Sequence, residues 1–135
     1  IPQFLVDKEL MLPEVSELIV TADMHERKRL MFEHSDAFVA LPGGIGTLEE
    51  VVEQMTWAQL GRHSKPIMLA NIARFWDPLV ILLHHMKESA FIRPGFDLSY
   101  GVADTIDDIL PKMRKRLAQL EAREREHGAV DLQKM

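Results

Sequence analysis

The chain has 135 residues, no cysteine, a formal net charge of -5 and 47% hydrophobic residues. This is enough for one compact domain with a real core, and it excludes disorder by composition. The acidic balance argues against nucleic acid or an anionic membrane as a partner. The lack of cysteine excludes a disulfide framework, zinc–cysteine sites and a cysteine nucleophile, and it fits a reducing, cytoplasmic compartment.

The opening Ile1-Pro2-Gln3-Phe4-Leu5 reads as the end of a strand and the loop after it, as if the chain began partway through a longer protein. Leu18-Ile19-Val20 reads as a strand. Asp23 then caps a helix to about Ser35, with Glu26 at capping-box spacing. A strand over Ala37–Leu41 leads through glycines into a helix over Thr47–Leu60. Ile67–Ala70 is a third strand. Asp77 as N-cap and Pro78 at the first helical position open a helix to about Glu88. A Pro94-Gly95 turn precedes a short strand over Ser99–Ala103. The last helix spans about Thr105–His127, with Pro111 marking a start or a kink. Toward its end, the mixed charges of 121–126 suit a solvated helix face. No apolar run reaches the length of a membrane span, and no signal peptide is visible.

Strands and helices that alternate at this spacing indicate βαβ units and a parallel sheet, an α/β fold that binds ligands at the carboxyl ends of its strands. Two segments fall at such ends. The first is Pro42-Gly43-Gly44-Ile45-Gly46-Thr47-Leu48-Glu49-Glu50. Its glycines let backbone N–H groups approach a ligand, and the helix behind them favours an anion such as phosphate. Glu50 has two readings. It is either the N3 carboxylate of a capping box that starts at Thr47, or a group facing a ligand. Leu48, Val51, Val52, Met55 and Ala58 form an apolar stripe toward the core, while Glu50, Gln54 and Trp57 share another face. A carboxylate so placed suits a base, or a stabiliser of developing positive charge, better than a general acid.

The second segment is Met24-His25-Glu26-Arg27-Lys28-Arg29. Cations at a helix start oppose the dipole, and an external anion removes that conflict. Arg27 and Lys28 are candidates for that contact, and Arg29 suits a solvated face. The six histidines show no metal-ligand spacing, so no metal and no cofactor is expected.

Together these motifs resemble the LOG ("Lonely guy") family. Pro42 to Glu50 matches its PGGxGTxxE motif, and Met24 to Lys28 matches its upstream MxxRK motif. The likeness runs from Ile1 to about Met113. It implies a Rossmann-like three-layer sandwich with a parallel sheet, lacking the N-terminal strands that members carry ahead of the position of Ile1. Residues 1–127 would then form a single nucleotide-binding domain, the C-terminal part of the family domain, with 128–135 a frayed tail.

The family comprises cytokinin-activating phosphoribohydrolases, long mislabelled as lysine decarboxylases. The resemblance therefore implies hydrolysis of the N-glycosidic bond of AMP or an N6-prenylated adenosine 5′-monophosphate. The products would be a free base and ribose 5-phosphate. On this likeness Arg27 and Glu50 match the catalytic pair. Gly43, Gly44, Gly46 and Thr47 match the phosphate-binding loop, with Met24 and Lys28 as further substrate-binding positions. The family also implies a homodimer or larger homo-oligomer. A competing reading on the same scaffold is a non-catalytic nucleotide or molybdenum-cofactor carrier. Lysine decarboxylation is disfavoured, because no lysine sits in a recognisable pyridoxal phosphate motif.

Overall fold

The computed structural model describes residues 1–6, 8 and 14–132. They fall into two compact units, Ile1–Ser35 and Asp36–Met135.

In the first unit a helical turn, α1 (Gln3–Val6), replaces the expected strand end and loop. The expected strand at Leu18–Val20 does not form; among the described residues this segment has one parallel bridge, Pro2 with Thr21, and a bond from the Ile1 ammonium to Ile19 O at 2.7 Å. The reason is local. The bridge is made by Ile1 O and the Gln3 N–H, and the chain turns helical at Gln3 before a ladder can extend. Helix α2 (Met24–His34) starts where the sequence places it. The Asp23 carboxylate accepts the Glu26 N–H at 2.8 Å. Glu26 reaches back one residue further than a standard capping box, accepting the Ala22 N–H at 2.7 Å.

The second unit holds three parallel strands, β1 (Phe38–Ala40), β2 (Ile67–Ala70) and β3 (Gly101–Ala103), in that order across the sheet. Helix α3 (Ile45–Gln59) joins β1 to β2, and α4 (Asp77–Glu88) lies between β2 and β3. Helix α5 (Ile106–Leu132) follows β3 and runs through Pro111 without a break. The central strand is apolar throughout and buried on both faces, as a covered parallel sheet requires. Its side chains alternate. Ile67 and Leu69 pack with Ala40, Val51, Met55, Trp76 and Leu83 on the α3/α4 face. Met68 packs with Ala103 and with Met113 of α5 on the other. The result is the expected helix–sheet–helix sandwich.

Helix α3 ends in a Schellman motif, in which the Gly61 N–H bonds Ala58 O at 3.0 Å and the Arg62 N–H bonds Trp57 O at 2.9 Å. Gly61 supplies the left-handed residue, at φ 71°. His63 then folds back. Its Nδ1 accepts the Lys65 N–H at 3.1 Å, and its Nε2 lies 3.2 Å from Gln54 O. These partners require a neutral ring that donates from Nε2. Burial pushes its pKa below the ordinary 6.5, helped by the Lys65 charge and opposed by the bond to Gln54 O. The stabilisation is therefore complete above pH 6.5 and is lost as pH falls through 6.5 toward the folded value. The thermal midpoint should fall between pH 8 and 5, and more steeply in the native protein than in His63→Gln. Parallel melting curves across that range check this; equal slopes would count against the buried neutral ring.

Candidate active site

The glycine loop joins β1 to α3. Helix α3 begins two residues before the capping box predicted from Thr47. Gly44, extended at φ -85° and ψ -162°, is the N-cap. Its carbonyl accepts the first helical bond, from the Leu48 N–H at 3.1 Å. Thr47 is therefore the third helical residue and Glu50 the sixth, too far in to cap the helix start. The capping reading of Glu50 is thereby removed. Glu50 is half-buried and, among the described residues, has no side-chain hydrogen bond or ion pair.

The loop itself offers donors. Among the described residues, the N–H groups of Gly44, Ile45, Gly46 and Thr47 have no protein acceptor. They are the orphan donors of a helix start, where the dipole adds partial positive charge. The glycines differ in why they are glycine. A Cβ on Gly43 would collide with the Thr47 side chain, whereas one on Gly44 or Gly46 would meet nothing within 4 Å. Neither Gly44 nor Gly46 has a positive φ. Packing gives no reason for these two bare positions.

The apolar stripe of α3 is turned slightly from the one predicted. Val51 and Met55 are buried, and so is Gln54, whose side-chain oxygen has no partner. Val52 is instead exposed. With Ile45, Leu48, Leu82, Met86 and Phe91 it lines an open apolar groove of about 900 Å³ between α3 and α4. Ile45 and Phe91 are 83% and 85% exposed.

On α2, Arg27 is half-buried. Its guanidinium contacts the Met24 sulfur at 3.9 Å and pairs with no carboxylate among the described residues. Arg29, by contrast, is exposed and lies 3.9 Å from Glu26 and 4.0 Å from Glu33. That is the solvated face expected of it. Lys28 and Met24 are half-buried on the same helix. Among the described residues no cluster of three or more His, Asp or Glu could hold a metal. No helix there is long and apolar enough to cross a membrane.

One polar cluster was missed from sequence. Asn71, 4% exposed at the end of β2, donates to Asp77 at 2.8 Å and to Asp104 at 3.1 Å. Asp77 also accepts the Arg74 Nε at 2.6 Å. The bonds from Asn71 and then Arg74 hold its carboxyl below the ordinary range. This use of Asp77 explains why it is the first residue of α4 rather than the predicted N-cap, which is Trp76. The available signal was a single amide placed directly after an apolar strand.

The steric difference among the glycines is measurable. Gly43→Ala should cost about 1–3 kcal/mol, as overpacking does. Gly46→Ala, in open space within a helix, should gain about 0.5–1 kcal/mol. Urea unfolding of both variants tests the contrast.

Residues 1–113 match the family model described as possible lysine decarboxylase. An Arabidopsis thaliana protein named a probable cytokinin riboside 5′-monophosphate phosphoribohydrolase is 49% identical over 119 residues. The match covers 88% of this chain and 59% of that protein. A second from Arabidopsis thaliana, named without "probable", is 48% identical over 84% of this chain and 50% of its own length. A rice relative (Oryza sativa subsp. japonica), again named probable, is 40% identical over 90% of this chain and 50% of its own. The chain thus spans about half the length of these curated relatives. On the family match over residues 1–113 and relatives 40–49% identical over most of its length, the chain belongs to the LOG family.

Proposed function

We propose that the protein hydrolyses the N-glycosidic bond of an adenine nucleoside 5′-monophosphate, AMP or an N6-prenylated form, releasing the base and ribose 5-phosphate. The observation that supports this most is the pairing, on one short helix, of four unpartnered backbone donors with the unpartnered carboxylate of Glu50. The donors suit a 5′-phosphate. Gly43, Gly44, Gly46 and Thr47 are the cradle in this proposal, and the bare backbone at Gly44 and Gly46 lets the phosphate come close.

The chemistry then follows from the carboxylate. The bond from C1′ to the base nitrogen breaks and its electron pair leaves with the base. Positive charge develops on C1′ and the ring oxygen, and water adds at C1′. Glu50 stabilises that charge and takes the proton released by the water. The departing base takes a proton from solvent and Glu50 returns the water's proton to solvent, so atoms and charge balance. Arg27 is too basic to serve as an ordinary acid. Its role is to orient substrate or to stabilise the departing base, with Met24 and Lys28 as further binding positions. These α2 assignments rest on the motif match rather than on geometry. The relatives' names support a cytokinin nucleotide as substrate. A cytoplasmic location belongs to the same proposal.

We propose also that a second copy of the chain covers the apolar groove beside the cradle, making the protein a homodimer or a larger closed oligomer. Exposed apolar surface of this kind is uncommon on monomers.

Glu50→Gln should release base from AMP at least about 100-fold more slowly, with an unchanged circular dichroism spectrum. Arg27→Ala should lose activity far more than Arg29→Ala, whose side chain is occupied by Glu26 and Glu33. AMP should be preferred to adenosine in the same assay. Near-normal turnover by folded Glu50→Gln would sink the hydrolase proposal, and nucleotide binding without turnover in the native protein would favour a carrier. Sedimentation of the full-length protein should give a dimer or larger species, and Phe91→Asp should shift it toward monomer. A native monomer would overturn the assembly proposal.

A further inference from the structure

We propose that Trp76 is a positioning residue for the glycine loop, holding the phosphate cradle at its working height above the sheet. This inference rests on the cradle reading given above.

The argument starts at Ala40, the last residue of β1. From the next residue on, Leu41 to Gly46 are all exposed, so little packing holds the loop. Its far end is fixed by the start of α3. Its near end is fixed by β1, and there a side chain intervenes. The Trp76 indole N–H donates to Ala40 O at 3.1 Å, and both residues are buried, Trp76 at 4% exposure and Ala40 at 7%. The same carbonyl ends the β1–β2 ladder, so the indole adds a second donor to a buried oxygen, and water has no access to replace it.

Trp76 is itself held. Its backbone N–H donates to the Asn71 side-chain oxygen at 2.8 Å. The Asn71 amide nitrogen is shared between Asp77 and Asp104, and the Asn71 backbone N–H donates to Ala103 O at 2.7 Å. Ala40, Asn71 and Ala103–Asp104 lie at the carboxyl ends of β1, β2 and β3. One connected set of hydrogen bonds thus ties all three strand ends. The loop that leaves β1 inherits its position from Asn71 through Trp76. Small displacements of a binding loop cost much in affinity, because the donors must meet a fixed ligand geometry.

Trp76→Phe keeps an aromatic ring in the core and removes the donor together with part of the indole's packing, which the Met113→Ala control accounts for. In the full-length protein, its KM for AMP should rise about five- to tenfold, the worth of one hydrogen bond, with kcat within about threefold. Ribose 5-phosphate binding, measured by calorimetry, should weaken by the same factor. Met113→Ala is the control, since Met113 packs on the opposite face of the sheet and its loss destabilises the fold without touching this network. It should lower the thermal midpoint at least as far and leave KM within about twofold. An unchanged KM in Trp76→Phe, or an equal rise in Met113→Ala, would overturn the positioning role while leaving the cradle intact. A native protein that does not prefer AMP to adenosine would overturn the cradle reading and this inference with it.

Discussion

The burial of β2 is the constraint on which the rest of the second unit depends. Ile67, Met68, Leu69 and Ala70 are each at most 1% exposed, so both faces of this strand must be covered. Alternation then assigns the cover: Ile67 and Leu69 call for helices on one face, and Met68 calls for α5 on the other. Because β1 and β3 both pair with β2 in parallel, their carboxyl ends all open at one edge. That edge carries the glycine loop, Asn71 and Asp104. A four-residue apolar run thereby decides where polar chemistry can be placed.

Much of this was legible in the chain. Asp23 with Glu26 marked a helix start, because short polar side chains satisfy the orphan donors that the backbone there must leave. The glycine loop and β2 were equally plain, one from its residue types and the other from its unbroken apolarity. The family was legible too, since two motifs at the right distance carried it.

What escaped was decided by long-range partners. Gln54 looks polar and reads as surface, yet it is buried, and Val52, which reads as core, lines an open groove. A rotation of α3 by a fraction of a turn separates the two outcomes, and the helix period alone does not set it. Asp77 looks like an N-cap. It is taken instead by Asn71 and Arg74, and the latter adopts a left-handed backbone at φ 62°. The start of α3 was misplaced for a simpler reason. Thr47 is a good cap by type, but Gly44 can close the first turn earlier, leaving Thr47 and Glu50 inside the helix. That three-residue shift of the cap changes Glu50 from a capping group into a carboxylate with no side-chain partner among the described residues.

The contact between Gly43 and Thr47 ties two positions in inheritance as well as in space. A methyl group at Gly43 would meet the Thr47 side chain, yet the same methyl would meet less if residue 47 had first become small. Substitutions here are therefore order-dependent. Alanine at 43 is costly while threonine stands at 47, and is eased once threonine is gone. A lineage that keeps the Thr47 side chain therefore keeps Gly43 for a steric reason, in addition to any part the glycine plays in binding. Loss of function at 47 would release both positions to drift. Among homologues, a non-glycine at the first loop position should accompany a smaller residue four places on.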